Sequence, residues 1–323
     1  MAWFMISQKL INFFSLGGLV SIFSSQPFDV NRLLSISGVE QLIVPIFPIL
    51  LVVEVAFILW VHRRSPAKIY VAYKVSVAMY VVNFAIATLV NLDVLLWTQQ
   101  KFFPHAPFSA PVNIFGFAYA YVVWELSHFV FHWTCHKVRL LWILHAPHHA
   151  PGHMNLGVIY TAFFLMGTYA TFVRTAICSL LGVSLQLLFL CMIIDACWGS
   201  LIHFSEELWP SGKFGGVLDK WILTPSDHRV HHSNNPEYID KNYCNTLPIW
   251  DKLFGTLQRE IPGVRPRYGL NRPQKPNSFI DMYFGEIGLL WRDIKNENSF
   301  KNRIFYLIKP PGWVPAERTV KIS

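Results

Sequence analysis

Charge is what this chain has least of: Asp, Glu, Lys and Arg make up 14% of its 323 residues, against 53% hydrophobic and 15% aromatic content. That balance argues against a pair of soluble domains and for a membrane protein. The five cysteines, Cys135, Cys178, Cys191, Cys197 and Cys244, are odd in number and form no C-x-x-C pair, which disfavours a zinc ribbon or a disulfide framework. No H-E-x-x-H motif is present, so zinc hydrolysis lacks its general base. No Rossmann glycine pattern, flavin motif or C-x-x-C-H haem attachment site occurs either. Any electron needed must therefore come from outside the chain. Internal repeats and low-complexity runs are missing, and the start lacks the basic n-region and cleavage site of a removable signal peptide. The net charge of +8 is spread over short loops and the tail, which fits anionic lipid headgroups rather than a nucleic-acid partner.

What the chain does have is histidine, thirteen in all. His132 and His136 lie four apart, His145, His148 and His149 follow as H-x-x-H-H, and His228, His231 and His232 repeat that pattern later. On a helix, residues at i, i+3 and i+4 share a face, so each group can aim its rings at a common point. Imidazole suits iron, zinc, copper and nickel. The surplus over what one ion can use argues for two metals. Around the last group, Thr224, Pro225 and Asp227 form a capping-box pattern that starts a short helix, and Asn234, Asn235 and Pro236 stop it.

Hydropathy places these groups on one side of a membrane. The segment 11–24 is short and holds Gly17 and Gly18, so it reads as interfacial or re-entrant. Spans are expected from Leu42 to Val61 and from Val75 to Trp97, with Arg63, Arg64 and Lys68 marking a cytoplasmic loop between them. A third crossing, Val112–Phe131, returns inward and delivers His132 and His136. Residues 157–202 form a hairpin broken near Leu181 and Gly182, after which His203 emerges on the same side. The rest reads as a cytoplasmic region packed under the bundle. The expected fold is an all-α integral membrane protein, a small transmembrane bundle with a cytosolic histidine-rich di-metal cap. Either the bacterial inner membrane or the endoplasmic reticulum suits that topology.

Ionisable residues inside the membrane are functional candidates, here Glu54, Lys74, Glu125, Arg174 and Asp195. Lys74 and Arg174 lie near span ends and are expected to snorkel. Asp195, two turns before His203, is a candidate to accept a hydrogen bond from a ligand histidine, or else to pair helices. His128, one turn before His132, is either an extra ligand or a satisfied polar residue. His62 and His105 fall in loops, and His153, after Pro151 and Gly152, is expected to face water. An imidazole-rich site with few carboxylates at a membrane boundary fits iron that activates dioxygen against a lipid C–H bond.

From about Ala118 to Leu257 the chain resembles the fatty acid hydroxylase/sterol desaturase superfamily. The resemblance rests on the boxes HWTCH, HAPHH and HRVHH, the lone His203, and the closing stretch NPEYIDKNYCNTLPIWDKLFGT. The spacing between His136 and His145 and the wording YIDKNY are most similar to the alkylglycerol monooxygenase branch. What the resemblance implies is a pair of Fe2+ ions at the cytosolic end of a helical bundle, held by His132, His136, His145, His148, His149, His203, His228, His231 and His232. It also implies outer roles for Asn155, Asn242 and Asp251. The implied reaction is hydroxylation, or desaturation, of a lipid by dioxygen with electrons from a small redox protein or a pterin. One departure is Cys244, where the family commonly has glycine. Three regions follow: 1–111 as N-terminal membrane helices, 112–257 as the catalytic region with its hairpin at 157–203, and 258–323 as a cytosolic tail. A membrane acyl or sterol desaturase is the alternative within catalysis, and a non-catalytic metal- or haem-binding membrane protein the alternative outside it.

Overall fold

The computed structural model describes residues 49–60, 66–210, 219–275 and 277–316. Among them the chain is helical, with one isolated antiparallel bridge, Ser233 to Tyr268, and no strand. The helices are α1 (Ile49–Trp60), α2 (Pro66–Phe102), α3 (Ile114–Lys137), α4 (Arg139–His149), α5 (Met166–Leu180), α6 (Leu185–Ile202), α7 (Pro225–His231), α8 (Ile249–Phe254), α9 (Phe279–Lys295) and α10 (Phe300–Ile308). Two of them, α3 and α6, are long and apolar enough to cross a membrane.

Local chemistry sets the ends that matter. The Asn113 side chain accepts from the N–H groups of Phe115 and Gly116 at 3.1 and 2.9 Å and so starts α3. At Val138 the backbone turns extended, and α4 leaves in a new direction. Gly182, at φ +75°, makes the turn between α5 and α6; a Cβ there would stand 2.3 Å from the Phe108 carbonyl oxygen. The apolar rows of α2, α3 and α6 meet around Leu95, Ala120, Trp124, Leu187 and Cys191.

Several expectations meet the structure differently. The second expected span lies inside α2, which runs past it at both ends. Of the first, only Ile49–Trp60 falls within the described residues, and the segment 11–24 and His62 fall outside them. The segment expected to form a hairpin holds α5 and α6, two helices of unequal length on either side of Gly182. Its first limb, α5, has 15 residues, about 22 Å at 1.5 Å per residue, short of a hydrocarbon core of about 30 Å. The residues before it fold instead into a 3-10 turn, Leu156–Tyr160, under the histidines.

Two buried carboxylates clasp this bundle. Glu54 of α1 accepts from Tyr73 Oη at 2.6 Å and from the N–H groups of Leu156 and Ser205, both at 2.9 Å. Glu125 of α3 accepts from the N–H groups of Asn245, Thr246 and Leu247 at 3.1, 2.9 and 3.2 Å. Residues flagged as costly ions in an apolar helix thus act as acceptors for backbone that lacks a ladder. The C-terminal region is also bound in: α9 and α10 bury Leu290 and Tyr306 against Ile143 of α4, and Arg139 pairs with Asp293 at 2.5 Å.

Candidate metal centre

Four elements converge. The last turns of α3 carry His132 and His136; α4 carries His145, His148 and His149; α6 ends with His203 as its C-cap; α7 and its C-cap carry His228, His231 and His232. All nine are buried. The short α7 is held by a full capping box, in which Thr224 Oγ1 accepts from the Asp227 N–H and Asp227 accepts from the Thr224 N–H at 2.8 Å.

The rings sort into two groups. His132, His136, His145, His149 and His231 form one, and His148, His203, His228 and His232 the other, with one ligand atom per residue and all such atoms in a group within 4.8 Å of one another. Each box was expected to aim at one point. Instead the second and third boxes are split. Helix geometry gives the reason: at about 100° per residue, positions i and i+4 differ by about 40° while i+3 and i+4 differ by about 100°. His145 and His149 therefore face one group and His148 the other, while His228 and His232 face the second group and His231 the first. Rings still touch across the divide, with His149 stacked on His232 at 4.5 Å between centroids.

Backbone carbonyls fix the tautomers. The Nδ1 atoms of His132, His148, His203 and His231 lie 2.9, 2.9, 2.5 and 2.8 Å from the carbonyl oxygens of Tyr243, Val158, Gly199 and Lys241. A carbonyl can only accept, so in the neutral ring Nδ1 holds the hydrogen and Nε2 is a bare lone pair. His148 and His203 then turn two bare Nε2 atoms toward each other at 3.3 Å. That arrangement makes no hydrogen bond, and a cation between the rings reconciles it. His136 Nε2 and His231 Nε2 are buried without any partner. Burial holds the histidines of α4, of α7 and of its C-cap in the neutral form: His148 is pushed down to about 4, and His145, His149, His228, His231 and His232 well below the usual range, neighbouring imidazoles adding to the effect.

Around the rings the expected outer residues divide. Asp251 accepts from the N–H groups of Tyr243 and Cys244, both at 2.8 Å, and Asn242, in the left-handed region at φ +56°, donates to the carbonyls of Asp227 and Gln258. Together they orient the strip whose carbonyls meet His231 and His132. Cys244 is absent from the residues with positive φ, so the backbone there does not need the glycine of the family pattern. Asn155 is buried close to Gly157 with its Oδ1 unpartnered.

Asp195 does not reach a clustered histidine. Eight residues from His203 leave the two about 80° apart on a helix, and His203 folds back onto its own i−4 carbonyl. Asp195 instead accepts from Arg174 at 2.6 Å and Asn245 Nδ2 at 2.8 Å, and stands 3.8 Å from His128 Nδ1. Arg174 does not snorkel: it turns inward to that carboxylate and lies over the Trp124 ring at 3.8 Å, because a buried charge needs a counter-charge. His128 belongs to neither group. His105 is exposed, and His153 is half-buried. Sequence reasoning missed Asp240, whose carboxylate lies 3.7 Å from His136 Nδ1 and also pairs with Lys137. It also missed the four carbonyls, which no side-chain pattern announces.

Residues 117–256 match the fatty acid hydroxylase family. Alkylglycerol monooxygenase from Homo sapiens is 27% identical over 238 residues, 71% of this chain and 49% of that protein. Its counterpart from Xenopus tropicalis is 31% identical over 199 residues, 60% of this chain and 41% of that protein. An ornithine lipid hydroxylase from Rhizobium tropici is 33% identical over 138 residues, 42% of this chain and 40% of that protein. The chain thus spans at most about half the length of these relatives. No solved structure matches it.

Proposed function

We propose that the chain is a membrane-bound lipid hydroxylase whose two imidazole groups each hold an iron ion, because residues 117–256, which contain all nine clustered histidines, match the fatty acid hydroxylase family. The facing lone pairs of His148 and His203 at 3.3 Å carry this reading, since they call for a cation where the family signature expects one. Nine neutral nitrogens and no carboxylate in either group suit a borderline-soft transition metal better than calcium or magnesium.

On this reading α3 and α6 cross the bilayer, and His132, His136 and His203 sit at their cytosolic ends beside the α4 and α7 histidines. The three regions 1–111, 112–257 and 258–323 act as membrane helices, catalytic region and supporting tail. When bound, the iron pair supplies the reductive activation of dioxygen, by which a C–H bond, O2, two electrons and two protons become an alcohol and water. The chain supplies position. Carbonyl-anchored rings keep their ligand nitrogens pointed inward, burial keeps water away, and the apolar bundle admits a lipid chain. Electrons come from an external donor, a small redox protein or a pterin.

Metal analysis of detergent-purified protein from iron-supplemented cells, with an optical spectrum and a lipid-oxidation screen beginning with alkylglycerols, tests the reading. About two non-haem irons per chain and an oxygenated lipid product are expected. Haem, or no metal after reconstitution with ferrous iron, would overturn it.

A further inference from the structure

The outward faces of α9 and α10 have no part in the proposed chemistry, yet both are apolar. Ile280, Phe284 and Trp291 are exposed on α9, and Phe300, Ile304 and Ile308 on α10. At about 100° per residue the first three fall within about 40° of one another and the second three within about 80°, so each helix carries a stripe. Trp291 is 68% and Phe300 75% exposed, and apolar surface gathered in this way marks an interaction site. Charge on the two helices is sorted as well. Asp281 and Glu286 pair with Arg272, Asp293 pairs with Arg139, and Glu297 is buried. The exposed ionisable residues, Arg292, Lys295, Lys301, Arg303 and the C-cap Lys309, are all basic. Near its start α9 joins Met282 and Tyr283 to Val75 and Met79 of α2, where the second expected span opens. Near its end Asp293 meets Arg139, the residue just beyond α3, whose N–H also donates to the Lys309 carbonyl at the end of α10. A helix tied at one end to the cytosolic side of α2 and at the other to that of α3 runs along the membrane surface.

We propose that α9 and α10 form an in-plane anchor, with their apolar stripes sunk into the cytosolic leaflet and their Lys and Arg residues on anionic head groups. The inference rests on α3 and α6 crossing the bilayer, not on the metals or the reaction. Helices that lie in an interface combine Trp, Phe and aliphatic side chains on one side with Lys and Arg on the other, and these two do the same. Long basic side chains reach the phosphates while the helix itself sits deeper, and the negative cytosolic leaflet draws them. Part of the region expected as a cytosolic tail is then membrane-bound. Because Ile143 of α4 packs against the same pair, the lipid surface also steadies the helix that carries His145, His148 and His149.

Fluorescent bimane labels on Phe284→Cys, Trp291→Cys and Ile304→Cys, each in the full chain reconstituted in lipid nanodiscs, test this. Ile194→Cys, exposed on α6, serves as the lipid reference and Glu237→Cys, exposed after α7, as the water reference. Wild-type protein treated in the same way corrects for labelling at Cys197, which is half-buried while the other four thiols are buried. In phosphatidylcholine discs the three labels should be quenched by nitroxide-bearing lipid, as at Ile194→Cys, and escape the aqueous iodide that quenches Glu237→Cys. Replacing part of the phosphatidylcholine by phosphatidylglycerol should strengthen lipid quenching at Trp291→Cys, and Lys295→Gln/Lys301→Gln/Lys309→Gln should lose that gain. The labelled positions are exposed and read independently, so a misfolded variant at one leaves the others to decide. Iodide quenching at these positions, with Ile194→Cys still in lipid, would overturn the proposal and leave the hydroxylase reading standing. Protection from both quenchers would overturn it too, by showing that protein, such as a second copy of the chain, covers the faces. No gain with phosphatidylglycerol, or a gain that survives the triple variant, would likewise overturn it. Iodide quenching at Ile194→Cys would take α6 out of the bilayer and sink the membrane-bound reading with it.

Discussion

Asp251 touches no imidazole, yet it sets where two of them point. Its carboxylate holds the N–H groups of Tyr243 and Cys244 and the Thr256 hydroxyl, the last at 2.6 Å, and the Tyr243 carbonyl receives His132. Removing it leaves buried donors open, at about 1–3 kcal/mol each. Partners that orient metal-binding rings are typically worth about 10–100-fold in metal affinity. Asp251→Ala is therefore expected to weaken iron binding by about that factor, most at the five-histidine group, in a competition titration with a chelator. An iron affinity equal to wild type would show that the strip keeps its course without the carboxylate. His148→Ala and His231→Ala should each disrupt a different group and abolish lipid oxidation. A protein that keeps its full iron and its activity after either change would sink the ligand list.

At the scale of elements, α4 is the one most dependent on others. It is short, carries three histidines, and has Pro147 inside it, so propensity alone does not hold it straight. Its support is tertiary: Ile143 meets Leu290 of α9 and Tyr306 of α10, and the Arg139 N–H donates to the Lys309 carbonyl at 3.0 Å. Leu290 is 5% exposed, and truncating such a residue costs about 2–5 kcal/mol. Leu290→Ala should lower the thermal midpoint and loosen iron retention in parallel, although it lies on the tail and far along the sequence from every histidine. A drop in stability with iron retention unaltered would mean that α4 keeps its place without α9.

For the whole molecule, burying so many neutral imidazoles together creates a dependence on pH. The His148 ring is pushed down to about 4 by burial, while in the unfolded chain it titrates near 6.5. Between those values the unfolded state binds more protons than the folded one, so stability is present above about pH 6.5 and is lost as pH falls toward 4. His145, His149, His228, His231 and His232 are likewise pushed down by burial and act in the same direction. Iron-stripped protein should therefore melt at progressively lower temperature as pH is lowered through that window, and iron should protect against the fall. A melting temperature that stays level or rises on acidification contradicts the buried-neutral state.

The histidine boxes, the cap at Thr224 and the apolar stretches of α3 and α6 were legible in the chain itself, because each depends on spacing within a few helical turns. That is why eight of the nine clustered histidines could be named from their spacing, while His203, which has no histidine within four residues, was implied by the family resemblance. Which ring belongs to which group was not legible, since it depends on how α3, α4, α6 and α7 are rotated about their axes when they meet. The carbonyls that fix the tautomers, the pairing of Asp195 with Arg174 instead of a clustered ring, and the bracing of α4 by α9 and α10 join residues far apart in the chain. Local periodicity carries no information about such pairs. They follow from burial, which forces each polar group taken out of water to find whatever partner the packed bundle brings within reach.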